Sequence, residues 1–199
     1  MVFFRTALWA LVIIFAGVLA WVSYQFTRTA GPGGEEPYGV DFALVDTAGQ
    51  EITQEAFRGQ PTAVFFGFTH CPDVCPTTLF ELDGWMQQVD PEGDDLNAYM
   101  VSVDPERDTP ELLSGYLSNV SDRIGGITGE PGAVAEMVQG FNVYARKVPL
   151  DDSDPNGDYT MDHTASVFLL DEEGRFRSTI AYGENADTAV QKLRNLIGG

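Results

Sequence analysis

The run Thr62-Ala-Val-Phe-Phe-Gly-Phe68 constrains this chain more than any other stretch. Its β-branched and aromatic residues favour a strand, and without polar alternation both faces of that strand need cover. Such a strand belongs in the middle of a sheet with helices packed on it. Pro61 precedes it, and the loop Thr69-His-Cys-Pro-Asp-Val-Cys75 follows. A helix is expected from Pro76 to about Val89, with Leu79, Leu82, Trp85, Met86 and Val89 on one face. Pro is preorganised for a first helical position, and Thr77-Thr78 with Glu81 suits a helix start.

The same alternation of types runs along the chain. Asp41-Phe-Ala-Leu-Val-Asp46 reads as a strand, and Ala48-Gly49 turns it toward a short partner at Gln50–Thr53. Strands are expected at Asn97–Val103, Arg123–Thr128 and Val143–Val148, with helices at Pro110–Leu117 and Pro131–Phe141. A polar loop covers Asp151–Asp162. Strands at Thr164–Leu170 and Phe176–Tyr182 flank a hairpin turn at Asp171-Glu-Glu-Gly174. Ala186–Ile197 closes as an amphipathic helix. No internal repeat is visible, and the sum is a mixed α/β sheet covered by helices.

Charge divides the chain unevenly. Its 199 residues carry 30 acids and 11 bases, a net of −19, which argues against nucleic acid as a partner. Residues 1–34 hold no acid and only Arg5 and Arg28, so the remainder has 30 acids against 9 bases, a net of −21. Between those arginines lies the uncharged run Ala7–Tyr24, with Trp9, Trp21 and Tyr24 near its ends, as expected of a membrane anchor. The competing reading is a cleaved signal peptide with Val18-Leu19-Ala20 at the cleavage site. The apolar character continuing through Trp21-Val22 disfavours it, and both readings export the domain. Thr29–Pro37 is rich in Gly and Pro and serves as a linker. The expected organisation is an anchor at 1–28, a flexible linker at 29–38 and one domain at 39–199.

Sulfur chemistry has one location. The two cysteines, Cys71 and Cys75, are four residues apart in a loop feeding a helix N-terminus, where partial positive charge stabilises thiolates. Pro76 disfavours helical backbone at Cys75, so the pair is expected in the loop or at the cap. The alternatives to a reactive site are a stabilising disulfide and a pair of inert buried thiols. A disulfide would close only about five residues, worth roughly 2 kcal/mol in the chain-entropy picture. The exposed strand-to-helix position argues against the inert thiols.

Three segments carry a resemblance: Phe65-Phe-Gly-Phe-Thr-His-Cys-Pro-Asp-Val-Cys-Pro-Thr-Thr-Leu79, Ser102-Val-Asp-Pro-Glu-Arg-Asp-Thr-Pro110 and Asp162-His-Thr-Ala-Ser-Val-Phe-Leu-Leu-Asp171. In this order they resemble the signature segments of the Sco/SenC family. The resemblance spans the domain from Asp41 to the terminal helix, and the anchor as well. It implies a thioredoxin-like fold with an N-terminal β-hairpin extension, preceded by one transmembrane helix. It also implies a copper-binding protein that supports assembly of the binuclear copper site of cytochrome c oxidase subunit II.

The family's copper ligands fall on Cys71, Cys75 and His163. The residue types agree: two soft thiolates favour Cu(I), and an added imidazole suits Cu(II) as well. Structural zinc usually needs four ligands, and no fourth is evident. In thioredoxin-like folds a cis proline usually precedes the third core strand, and this chain has His163 there. His70, beside Cys71, is expected to point away from the site, because neighbours in an extended segment do. Asp73 is expected to cap the helix. Asp104–Pro110 is expected beside the site, with Arg107 and its two aspartates structural or partner-facing.

Two functions follow. One is a metallochaperone, taking copper from other periplasmic carriers and passing it on by ligand exchange with Cys71 and Cys75 reduced. The alternative is a thiol-disulfide oxidoreductase using the same pair on the cysteines of subunit II. The C-x3-C spacing and the missing proline clamp rank it lower. A peroxidase is weaker still, since Pro72 and Phe68 stand where Thr and Pro, respectively, would be needed. Asp152–Gly157 imitates half a calcium loop, but its twelfth position is His163 and Pro155 intrudes, so a solvated acidic loop is the better account. The short N-terminal flank lacks a transit peptide, which points to a bacterial inner membrane with the domain in the periplasm.

Overall fold

In the computed structural model of the chain, the strand expected from Thr62 runs Thr62–Gly67, and all six of its residues are buried. The described residues are 5, 6, 9, 13–21, 36–151, 153, 154 and 157–198. From residue 36 onward the elements are β1 (Ala43–Asp46), β2 (Glu51–Thr53), a single 3-10 turn (Gln54–Phe57), β3 (Thr62–Gly67) and α1 (Val74–Val89). Then come β4 (Asn97–Ser102), α2 (Pro110–Leu117), β5 (Ile124–Thr128), α3 (Pro131–Gly140), β6 (Ala145–Pro149) and β7 (Tyr159–His163). The chain closes with β8 (Ser166–Leu170), β9 (Phe176–Ala181) and α4 (Ala186–Ile197).

Seven strands form one sheet in the order β2-β1-β5-β4-β3-β8-β9. β3 and β4 are parallel, as are β4 and β5, so each pair needs a crossover, and α1 and α2 supply them. β8 runs antiparallel to β3 and to β9, and β1 antiparallel to β5. The β1–β2 hairpin extends one edge, and the whole is a mixed α/β thioredoxin-like sheet. β6 and β7 pair only with each other, as a separate ribbon in which Ala145 faces His163.

The core lies on both faces of β3. Phe65, Phe66 and Phe68 are among the largest side chains fully removed from solvent, with Leu79, Leu82 and Met86 of α1 and Leu169 of β8. Asn185 caps α4 by accepting from the N–H groups of Asp187 and Thr188, and Ala189, Val190, Leu193 and Leu196 are its buried residues. At the β8–β9 turn Gly174 has φ 77°, left-handed backbone that suits glycine. There Asp171 accepts from the backbone of Glu173 and Arg175.

Two expectations are corrected. α1 begins at Val74 rather than Pro76, so Cys75 lies in its first turn. The first four helical N–H groups have no intrahelical partner, so Pro76 removes no bond there and the helix extends past it. Part of the polar loop expected at Asp151–Asp162 is β7, because pairing with β6 satisfies backbone that the local polarity left unassigned.

The chain divides into two units, Met1–Gly34 and Glu35–Gly199. In the first, residues 13–21 are helical. Among the described residues no helix is long and apolar enough to cross a membrane. Residues 7, 8, 10–12 and 22–24 of the expected Ala7–Tyr24 span, and 29–35 of the expected linker, lie outside them.

Leu193 is fully buried where α4 meets the sheet. Leu193→Ala should lower unfolding free energy by about 2–5 kcal/mol, as buried leucine truncations do. Urea denaturation of the full chain should show this as a lower midpoint at unchanged slope.

Candidate metal centre

The centre begins where β3 runs out. Gly67 ends the strand, and a Cβ there would lie 2.7 Å from the Phe65 ring and 3.2 Å from Cys75 Sγ. Glycine therefore leaves the space in which the buried sulfur sits. Thr69 and His70 then form a turn, closed by the Cys71 N–H donating to the Phe68 carbonyl at 3.3 Å. Asp73 occupies the N-cap of α1 but makes no side-chain capping bond. The acceptor near the helix start is Cys71 Sγ, which takes the Cys75 N–H at 3.3 Å. Sulfur in this position has the helix dipole and a backbone donor directed at it, which favours thiolate.

The two sulfurs are not equivalent. Cys75 is buried and Cys71 half-buried, and both are free thiols rather than a disulfide. A hydrogen bond from the Cys75 thiol is the largest influence on Cys71. Burial opposes it, while the backbone of Cys75 and Asp73 assists, and the Cys71 thiol is held at about 4. The same hydrogen bond, followed by burial, pushes the Cys75 thiol far above the ordinary range. At neutral pH the pair thus shares one proton, with the negative charge on Cys71.

His163 approaches from the other ribbon. Its Nδ1 lies 3.0 Å from the Thr164 carbonyl, which can only accept, so Nδ1 carries the proton and Nε2 the lone pair. Nε2 lies 3.5 Å from Cys75 Sγ. Phe65 and Phe68 meet the imidazole edge-on, with ring centroids at 6.1 and 5.7 Å. Cys71, Cys75 and His163 each place one ligand atom within 4.8 Å of the others, and they are the one such cluster among the described residues. A buried or half-buried set of two sulfurs and one imidazole nitrogen, with the far ring nitrogen engaged, matches how metal-ligating histidines are held.

The Asp104–Pro110 segment proves internal. Asp104 and Asp108 are both buried. Arg107 pairs with Asp104 through Nε, donates through Nη1 to the Tyr159 carbonyl at 2.9 Å, and lies over the Tyr159 ring. The Tyr159 hydroxyl donates to Asp104 at 2.8 Å. This clamp fixes the start of β7, whose far end is His163. Asp108 accepts from the Thr69 N–H at 3.1 Å, the Thr69 hydroxyl at 2.6 Å and the Ser102 hydroxyl at 2.7 Å, so it sets the cysteine turn. Sequence reasoning left these aspartates undecided, because burial of a carboxylate depends on donors distant in the chain. His70 stays outside the three-atom cluster. The reason is not the expected extended backbone, since the segment is a turn. Of the acidic stretch at 152–157, residues 152, 155 and 156 lie outside the described residues.

Comparison with known proteins bears on this site. A family model described as SCO1/SenC matches residues 30–198. Protein SCO2, mitochondrial, of Saccharomyces cerevisiae is 34% identical over 165 residues, covering 82% of this chain and 54% of that protein. The match therefore spans little more than half the length of that relative. The structure of ScoI from Bradyrhizobium japonicum with copper bound is similar at TM-score 0.72 and 42% identity, over 80% of this chain and 99% of that one. Yeast Sco1 with copper bound is similar at TM-score 0.73 and 31% identity, over 82% and 90%.

The unequal sulfurs give a direct test. In the full chain, iodoacetamide should alkylate Cys71 in preference to Cys75. The rate should hold steady from neutral pH downward and fall to half near pH 4, as Cys71 takes up a proton. Peptide mapping after timed quenching would read both the site and the profile.

Proposed function

The chain belongs to the SCO1/SenC family, and on that premise we propose that it carries copper on Cys71, Cys75 and His163. The recipient is the binuclear copper site of cytochrome c oxidase subunit II. The observation that carries this reading is the meeting of two sulfurs and a lone-pair nitrogen at one place. Thiolates suit Cu(I), and the imidazole extends the site to Cu(II). Copper is cargo here, so the protein's task is to hold it and release it. Cys75 provides the enclosed side of the site, while Cys71 and His163 are both only half-buried. Half-buried Cys71 is where an incoming partner ligand first gains access. Loading requires the cysteines reduced, and it displaces the one proton that the pair shares. Other periplasmic copper carriers are the source.

Residues 1–28 act as a single-pass anchor, 29–38 as a linker, and 39–199 as the copper-binding domain. The domain lies on the periplasmic face of a bacterial inner membrane. The acid-free apolar run between Arg5 and Arg28 supports this arrangement.

A second reading is supported by the acidity of Cys71. A half-exposed thiolate beside a buried thiol is the arrangement of an attacking and a resolving cysteine. Cys71 would attack a disulfide of subunit II, and Cys75 would then displace the reduced target. That leaves a Cys71–Cys75 disulfide, with two electrons passed to the target.

His163→Ala separates the two readings. It should weaken copper binding by more than the roughly 10–100-fold that loss of an outer partner costs, and leave the Cys71–Cys75 redox couple working. Copper affinity by competition titration and the couple's equilibrium with glutathione would measure both. Normal copper binding would overturn the three-ligand site. Full rescue of oxidase assembly by this variant would favour the reductase.

A further inference from the structure

His70 is held as a ligand is held, although it is not one of the three clustered groups. The Thr69 hydroxyl has one proton, and at 2.6 Å it gives that proton to buried Asp108. Asp108 takes two further donors, the Thr69 N–H and the Ser102 hydroxyl, as an acceptor-only carboxylate does. The Thr69 oxygen is therefore an acceptor toward His70 Nδ1, 3.1 Å away. In the neutral ring the proton is then on Nδ1 and the lone pair on Nε2. Nε2 has no hydrogen-bond partner among the described residues. The side chain is half exposed, at 49%. His163 is likewise held through Nδ1, with its Nε2 turned to Cys75 Sγ at 3.5 Å.

A surface histidine without a role has no need of this arrangement. Ordering a half-exposed ring costs side-chain entropy, and here a chain of three groups anchored on a buried carboxylate holds it. The ring is one residue from Cys71, the more accessible of the two sulfurs, on the same turn.

Resting on the copper-carrier reading, we infer that His70 is a transfer ligand, which receives Cu(I) as it enters or leaves the Cys71–Cys75–His163 site. On release, Nε2 gives its lone pair to Cu(I) as the bond from Cys71 Sγ breaks. The electron pair of that bond stays on sulfur as thiolate, Nδ1 keeps its proton, and copper remains Cu(I) throughout. The acceptor's ligand then displaces Nε2. Entry reverses these steps.

A group that bonds only in passing alters rates and not the equilibrium. The test uses the full reduced chain in detergent, loaded with one equivalent of Cu(I) and challenged with the chelator bathocuproine disulfonate. Stopped-flow absorbance reads the exchange rate, and competition at equilibrium reads the affinity. For His70→Ala and His70→Gln, affinity should stay within about twofold of wild type. Exchange should slow about tenfold in both directions, the loss of one weak contact in the transition state. Wild-type rates in both variants would overturn the inference alone, as would an affinity loss that matches the change in rate. Failure of the wild-type chain to take up Cu(I) would overturn the carrier reading itself. A second readout needs no transfer. In the His163→Ala chain with 15N-labelled histidine, Ag(I) should shift the His70 Nε2 resonance, and an unmoved resonance would count against the inference.

Discussion

A buried carboxylate must have its oxygens filled with donors, and the arrangement around Asp108 follows from that requirement. Its side chain gathers Thr69 from the turn after β3 and Ser102 from the end of β4. Its backbone carbonyl takes the Thr128 hydroxyl from the end of β5. The C-terminal ends of three neighbouring parallel strands are thus tied at one residue, immediately before α2. The turn that presents Cys71 is consequently set by the sheet and not by its own sequence. Removing the carboxylate would leave donors without acceptors inside the fold, at roughly 1–3 kcal/mol for each.

Much of this was legible from residue pattern. α2 and α4 have the limits that Thr109-Pro110 and the apolar period of Ala186–Ile197 indicate. The central strand was legible because an apolar run of that composition has few other places to go. The ribbon strand β7 was not, since Tyr159–His163 is polar and its partner β6 is equally mixed. Only the pairing makes β7 a strand, whereas β6 overlaps the strand expected at Val143–Val148. The start of α1 was misjudged because a proline in the first helical turn removes no hydrogen bond, and the steric bias against helical backbone at Cys75 was outweighed there.

The cysteine pair was legible from residue type and position and His163 only through the resemblance, while the arrangement of the three was not legible at all. The spacing of Cys71 and Cys75 said nothing of which sulfur would be buried. That inequality comes from Gly67, whose missing side chain admits one sulfur beside the strand, while the other sits at the helix start. The unexpected capping role of Cys71 has the same origin. With Asp73 making no capping bond, a thiolate takes the place usually held by a carboxylate or hydroxyl oxygen. One structural choice thus serves the helix and the chemistry together.

The separate pairing of β6 and β7 has a mechanical consequence. The sulfurs belong to the main sheet and its first helix, whereas His163 hangs from a ribbon with its own hydrogen bonds. An ion gripped by all three is therefore a cross-link between two networks, and it closes a loop of 88 residues between Cys75 and His163. In the chain-entropy picture a closure of that length restricts the unfolded chain by about 4–5 kcal/mol while the link holds. Cargo would then act as a removable staple. On the copper-carrier reading, a protease sampling the opened molecule would cut the metal-free chain faster than the loaded one.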